Sequence, residues 1–538
     1  MHDSFVSRRR LLQAAGAMIV SFSTPAPAKT LATDRVDGFL AISPDGTVTI
    51  YTGKVDLGTG ARIAYRQMVA EELFIPIDRI ALIEGDTALT PDQGGTGGST
   101  GIAVGGVQLR QAAATARAAL LAGRPVAGLN LPIDRAAPLV SPTAYRIVGK
   151  SLPRPDLPAK FTGAFTYVQD FVCPGMLHGR VIRPPSIGAT LESVDESSIA
   201  SLPGIVKIVR INDFLGVVAE TEWAAIRAAR QLAATWTPAA PMADSTILFD
   251  TVRATPIAHD ETLSHVGDAA SAVSVGAKRL MATYQWPPQS HGSIGPSCAV
   301  ADVRADSATI WTGSQQTHKY AKVFARFLAL PADSVRMIYL NGAGSYGMNG
   351  HDDAAADAAL MSRAVGHPVR VQWMRADEHG WDPKGPPQLV DLRAALDDAG
   401  HISAWETQAW LPLNTPGLPA VPLLAPRAAR LDQPEGNSSA QIQGNLDPPY
   451  TIANMRAVVH WLSATPLRPS NLRAPGKIGN IFAVESFTDE LAAAARADPI
   501  EFRLQMLTAP RGIEVLTRVA ARMGWQSRPA PHPPHPPA

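Results

Sequence analysis

Apolar and polar residues alternate over Thr47-Val48-Thr49-Ile50-Tyr51, the period of a strand with one buried face. Pro44-Asp45-Gly46 separates this run from a strand-like run just upstream, which predicts a hairpin within 38–53. The period then lengthens: Ile63, Met68, Val69 and Leu73 fall along one face of a helix over 61–73. A short strand over 79–83 leads into a glycine- and threonine-rich loop, 85–100, and then an alanine-rich helix over 104–121. Residues 122–160 are proline-rich and read as a connector. From 165 to 236 the pattern predicts a compact unit with strands over 204–209 and 214–219 and a helix over 222–232. Beyond 251, strands are expected at 280–284, 298–303, 307–311, 335–340 and 369–373, with helices at 319–328 and 352–365. Strands interleaved with helices in this order imply a multidomain chain of α+β or mixed α/β class.

Composition narrows the class. At about 100–200 residues per domain, 538 residues predict two to four domains. Hydrophobic residues make 46% and charged residues 18%, which excludes wholesale disorder. Gly 43 and Pro 46 predict many ordered loops. A net charge of +1 gives no support to a nucleic-acid binder. The two cysteines, Cys173 and Cys298, are too few for an iron–sulfur cluster and are expected to be buried free thiols. The N-terminus differs in kind from the rest. Ser7-Arg8-Arg9-Arg10-Leu11-Leu12 precedes an apolar stretch to Phe22, and Ala26-Pro27-Ala28 fits a cleavage pattern before Lys29. Residues 1–28 resemble a twin-arginine signal, so a periplasmic protein exported after folding is expected.

Candidate chemistry sits mainly in glycine-rich loops. Gly94, Gly95, Gly97, Gly98 and Gly101 surround Thr96 and Ser99 ahead of the helix over 104–121, a pattern that lets backbone amides approach an anion. The spacing matches neither a Walker motif nor a GxGxxG fingerprint. A second glycine loop, Gly342-Ala343-Gly344-Ser345-Tyr346-Gly347-Met348-Asn349-Gly350, follows a strand. His351, Asp352, Asp353 and Asp357 lack a recognised metal-ligand spacing, and read as an N-cap followed by a solvated helix face. His379, Trp381 and Asp382 read as local loop structure, and His178 as a strand-end residue. No GxSxG elbow occurs.

Several long motifs in order carry a resemblance. GKVDLGTGARIAYRQMVAEEL and GDTALTPDQGGTGGST are followed by FVCPGMLHGRVIRPPSIGATL through VVAETEWAA, then WTGSQ, GAGSYG and LRAPG. From Val36 to Trp525 the chain resembles the molybdopterin-binding large subunits of the xanthine dehydrogenase/aldehyde oxidase family. Within it, the look is of the exported isoquinoline 1-oxidoreductase beta-subunit group, with its nicotinate-dehydrogenase-type members. The resemblance implies a molybdenum-hydroxylase large-subunit fold: a rearranged cofactor-binding module and linker at 29–160, an α/β hammerhead-like domain at 161–240, an incomplete molybdopterin-binding domain at 241–526, and a Pro/His tail at 527–538. Proline in that tail opposes helix and central strand alike.

By the same resemblance, the cofactor is molybdenum held by molybdopterin cytosine dinucleotide. Gly58, Gly60, Gly95, Thr96, Gly97, Ser99, Gln315, Gly344, Tyr346 and Gly347 would line it, with no metal-ligating side chain. Gly58-Thr59-Gly60 stands where many relatives have GQG. Arg473 would orient substrate. Gly295 occupies the place of a substrate-facing glutamate in some relatives, which argues against a purine pocket and leaves N-heteroaromatic compounds or aldehydes, with water as oxygen source. Electrons would leave through a small partner subunit carrying two 2Fe–2S clusters, with a cytochrome c as possible acceptor. The match stops after Met523-Gly524-Trp525, before the family's GVGE-type segment, and Glu501 in DPIEFR matches a structural segment instead. A chain without its general-base glutamate is expected to lack turnover by itself. The alternative is a non-catalytic cofactor-binding or assembly component of a split enzyme.

Overall fold

The computed structural model describes residues 32–124, 130–239, 242, 244–413, 422–435, 442–465 and 467–528. The signal reading at 1–28 and the tail from 529 onward lie outside the described residues.

The N-terminal module is a three-stranded sheet with two helices. Leu40–Ile42 pairs antiparallel with Val48–Thr52, which pairs parallel with Ile80–Glu84. Val48, Ile50 and Thr52 are buried, as the alternation requires. Helices Ala61–Leu73 and Val107–Leu121 close the core through Tyr65, Val69, Leu109 and Ala112. The second helix begins later than the sequence pattern predicts, because Gly101–Gly106 winds as a π-helix. The cause is close packing. A Cβ on Gly105 would lie 2.7 Å from Lys54 Cγ, and one on Gly106 would lie 2.9 Å from Met68 Cε. Wide turns of this kind often mark functional sites. The connector, 122–160, is bound down at its second half: the Glu71 carboxylate accepts the amides of Arg146, Ile147 and Val148.

Among the described residues, a seven-stranded sheet runs in the order Val335–Tyr339, Ala308–Thr312, Cys298–Val303, Val369–Gln372, Leu177–Val181, Phe214–Ala219, Ile205–Ile211. Strand pairing therefore crosses the boundary expected at 240, since Leu177–Val181 lies parallel to Val369–Gln372. Helices Thr317–Phe327 and Asp353–Val365 pack on it. Here the sequence reading of Asp353–Val365 needs correction. Residues Asp353 to Ser362 are all buried, so no face is solvated. Alanine lets the helix sit close against strands, and its acids are neutralised in place. Asp357 meets Arg183 at 2.6 Å and the Trp373 indole at 2.8 Å; Asp353 meets Arg468 at 2.7 Å.

Leu191–Asp195 pairs antiparallel with Ala233–Trp236, and a five-stranded sheet runs in the order Lys278–Trp286, Gln388–Leu396, Ile402–Pro412, Met455–Leu462, Ile257–Val266. Helix Lys477–Ala495 buries Val484, Phe487 and Leu491 against it, with Trp405 and Phe487 edge to face at 5.2 Å. Both cysteines are free and buried in a small cluster with Val168, Phe171 and Trp311.

Candidate functional site

Loops from the three regions converge. In the N-terminal module, Gln93 Oε1 accepts from Thr52 Oγ1 and the Gly53 amide, and Thr96 Oγ1 accepts from the Val55 amide at 2.9 Å. The buried Lys54 ammonium donates to the Gly95 carbonyl at 2.7 Å and to Thr100 Oγ1 at 3.2 Å. These bonds hold the glycine loop against its own module. Burial lowers the Lys54 pKa.

The same loop is tied to loops of the seven-stranded sheet. The Thr96 amide donates to the Gln315 carbonyl at 2.8 Å, and Gln315 Nε2 donates to the Thr96 carbonyl at 2.7 Å. The Gln315 amide in turn donates to the Asn349 carbonyl at 2.7 Å, joining the WTGSQ loop to the GAGSYG loop. Arg473 closes the set: its amide donates to the Tyr346 carbonyl at 2.7 Å. Gly347 makes that approach feasible, with φ at 104° and no Cβ to meet the Asn471 carbonyl.

Thr96, Gln315, Tyr346 and Arg473 therefore belong to one assembly, although they are scattered along the chain. Gly95 packs on Gln316, and Gly344 lies against Ser293 and Ile294. Gly97 and Ser99 are at the loop tip, both exposed. Gly58 and Gly60 differ: both amides donate to Asp56 Oδ1, at 2.8 and 3.2 Å. Their hydrogen bonds shape the start of helix Ala61–Leu73. The Asp56 carbonyl is held by Tyr339 Oη and Asn341 Nδ2, so this loop too is fastened to the seven-stranded sheet. Arg473 is exposed and lines a second hollow with Trp286, Gln388 and Gly479.

Beside the convergence lies a small open hollow lined by Gln169, Gly295, Gly344, Asn349, His351 and Asp352 among others. Around it, buried polar atoms stand without partners: Gln169 Oε1, Gln315 Oε1, Ser345 Oγ, Asn349 Oδ1, His351 Nδ1, Asp352 Oδ2 and Asn471 Oδ1. Each unpaired buried atom costs about 1–3 kcal/mol, so native proteins keep few of them. Gln169, Asn349, His351 and Asp352 line the hollow itself, and Gln315, Ser345 and Asn471 belong to the loops of the convergence, which marks this region as a place for a polar ligand. Burial raises the Asp352 pKa to about 7, against the opposing hydrogen bonds from Ser314 and Thr312.

Residues 6–133 and 254–414 each match the family description "Molybdopterin cofactor-binding domain", together more than half of the chain. The chain belongs to the molybdopterin-binding subunits of the xanthine dehydrogenase/aldehyde oxidase family. It is 41% identical to a subunit of the nicotinate dehydrogenase of Pseudomonas putida, over 92% of this chain and 44% of that protein. With the beta subunit of isoquinoline 1-oxidoreductase of Brevundimonas diminuta, identity is 29% over 74% of this chain and 52% of that protein. Among solved structures, the aldehyde oxidoreductase of Desulfovibrio gigas shares the fold with TM-score 0.58 at 17% identity, covering 81% of this chain and 51% of the other. The chain thus spans about half the length of the curated relatives it matches.

The polar atoms gathered here suit the ring edge of this family's cofactor. A pterin ring edge carries hydrogen-bond donors and acceptors together, and the unpaired atoms here are mostly acceptors with a hydroxyl among them. Lys54 supplies a positive charge beneath the loop over 94–100. The sequence reading missed Lys54, Asn349 and the polar pair His351–Asp352 as one group. Only the fold aligns them, since no local spacing signals it.

Proposed function

We propose that this chain holds molybdenum–molybdopterin, as the cytosine dinucleotide, in a periplasmic complex that hydroxylates an N-heteroaromatic acid or oxidises an aldehyde. The observation that carries the reading is the hydrogen-bonded convergence of Thr96, Gln315, Asn349, Tyr346 and Arg473 beside unpaired buried polar atoms. The cofactor would supply a two-electron oxidation of the substrate carbon. Gln315, Asn349 and Ser345 would hold it by their unpaired atoms, while the 94–100 loop and Lys54 would meet phosphate. Arg473, exposed beside the convergence, would pair with a substrate carboxylate. Names of relatives support the substrate class: one is a dehydrogenase of nicotinate and another an oxidoreductase of isoquinoline, and several are subunits of larger enzymes. With only two cysteines, both buried in a core, electrons would pass to a partner that carries two 2Fe–2S clusters and then to a cytochrome c.

The test is molybdenum per polypeptide by elemental mass spectrometry. The 538-residue chain is produced with its export system, cofactor-maturation machinery and small subunit. About one molybdenum per chain is expected. None, with a relative loading normally in the same host, overturns the reading.

A further inference from the structure

A line of buried polar side chains leaves the cavity at His351. Its Nε2 meets Ser470 Oγ, and Ser470 Oγ lies 3.2 Å from His291 Nε2. His291 Nδ1 lies 3.3 Å from Asp382 Oδ2, and Asp382 Oδ1 is paired with Lys384. The interior of this line is dry: the His291 side chain is 0% exposed, Asp382 1% and Ser470 1%, whereas the Lys384 side chain is 15% exposed. At the cavity end, His351 Nδ1 has no partner. Asp382, read from sequence as loop structure, is thus the anchor of a buried chain.

Resting on the cofactor-site reading above, we propose that His351 Nδ1 is a proton acceptor facing the cavity, and that Ser470 and His291 carry its proton to the Asp382 carboxylate beside Lys384. An ionised Asp382 selects one polarity at rest. It takes the proton of His291 Nδ1; His291 Nε2 then accepts from the Ser470 hydroxyl, and Ser470 Oγ accepts from His351 Nε2–H. That leaves a bare lone pair on His351 Nδ1. A proton arriving there releases the Nε2 proton to Ser470 Oγ. The Ser470 proton moves to His291 Nε2, and the His291 Nδ1 proton moves to Asp382. One proton enters and one reaches the carboxylate, with no net change in between. The Asn471 carbonyl stands 3.2 Å from His291 Nε2 and accepts from it in the second tautomer, so both states are bonded.

The surroundings favour neutral rings. Burial lowers the His291 pKa to about 4, opposed by the Asn471 carbonyl, with Lys384 lowering it further and Glu378 raising it. Burial, then the charges of His291 and Arg468, hold His351 well below its usual range. Arg468 is itself paired with Asp353. Lys384 is pulled down to about 8 by burial and by Arg468, and sits where it can exchange with solvent.

The test reads ring tautomers directly, by 15N NMR of the full chain labelled at histidine, with His291→Gln and His351→Gln used for assignment. At pH 7 both rings are expected neutral, with the proton on Nδ1 of His291 and on Nε2 of His351. Ser470→Ala should shift the His351 ring signals toward mixed tautomers, and Ser470→Thr should restore them. A proton on Nδ1 of His351 in the unaltered chain, or unchanged His351 signals in Ser470→Ala, overturns the proposal. These signals need no bound molybdenum, so a chain that fails to load the metal refutes the site reading separately. In a loaded, active complex, Ser470→Ala should lower kcat about tenfold or more at unchanged KM, and Ser470→Thr should recover it. Equal kcat refutes the relay.

Discussion

Gly347→Ala tests whether the Tyr346 and Arg473 loops form one rigid unit. An added Cβ would lie 1.9 Å from the Asn471 carbonyl oxygen and 3.0 Å from its carbon. Carbon–oxygen contacts settle at about 3.3 Å or more, so the segment carrying Asn471 must recede by over about 1 Å. The Arg473 amide, 2.7 Å from the Tyr346 carbonyl, would then exceed hydrogen-bond range. Losing that bond costs about 1 kcal/mol, and holding alanine at positive φ costs about 1–2 kcal/mol more. A destabilisation of about 3 kcal/mol is expected, read as a lower urea midpoint, with faster amide exchange across 470–474 and loss of molybdenum. Gly97→Ala is the matched control. Nothing lies within 4 Å of its Cβ and its φ is outside the left-handed region, so stability should hold. A Gly347→Ala chain within about 0.5 kcal/mol of the parent, with unchanged exchange, would refute the rigid unit.

Other substitutions probe separate contacts. Glu72 has a fully buried carboxylate between Arg110 and Arg117, each at 2.7 Å, and also takes the Val140 amide; Glu72→Ala should cost about 3 kcal/mol in chemical denaturation. Asp352 has its folded pKa raised from 3.8 to about 7, so its stability cost is absent below pH 3.8 and grows as pH rises toward 7. Asp352→Asn should therefore gain stability relative to the parent across that window, and a flat difference there contradicts the burial effect. Burial pushes the Cys173 thiol up to about 11 and Cys298 to about 12; the native chain should give no reaction with a thiol reagent at about pH 8, and two thiols after denaturation. Arg473→Ala should leave stability within about 0.5 kcal/mol while weakening the equilibrium binding of ring carboxylates more than that of neutral aldehydes.

Local pattern carried much of the secondary structure. Alternation in 47–51 and the apolar stripe of Ala61–Leu73 each act through nearest neighbours, and both elements formed where the pattern put them. The long strands Gln388–Leu396 and Ile402–Pro412 were not read, because strands buried on both faces lose the alternation that reveals them. The helix Asp353–Val365 misled for the opposite reason. Its aspartates look solvated in sequence, but the charges that neutralise them, Arg183 and Arg468, come from segments over a hundred residues away.

Family membership was legible in the letters alone, through motifs long enough to be specific, and so were the glycines whose missing side chains permit close loops. How those loops are used depends on packing between distant segments. Backbone amides carry no side-chain signature, so nothing in the letters Gly58 and Gly60 says that their amides turn inward to Asp56, while the Thr96 amide reaches Gln315. Likewise His291, His351, Asp382 and Ser470 became a connected line only when the segments bearing them were packed out of water, where a hydrogen bond to another side chain is the remaining way to satisfy a polar atom.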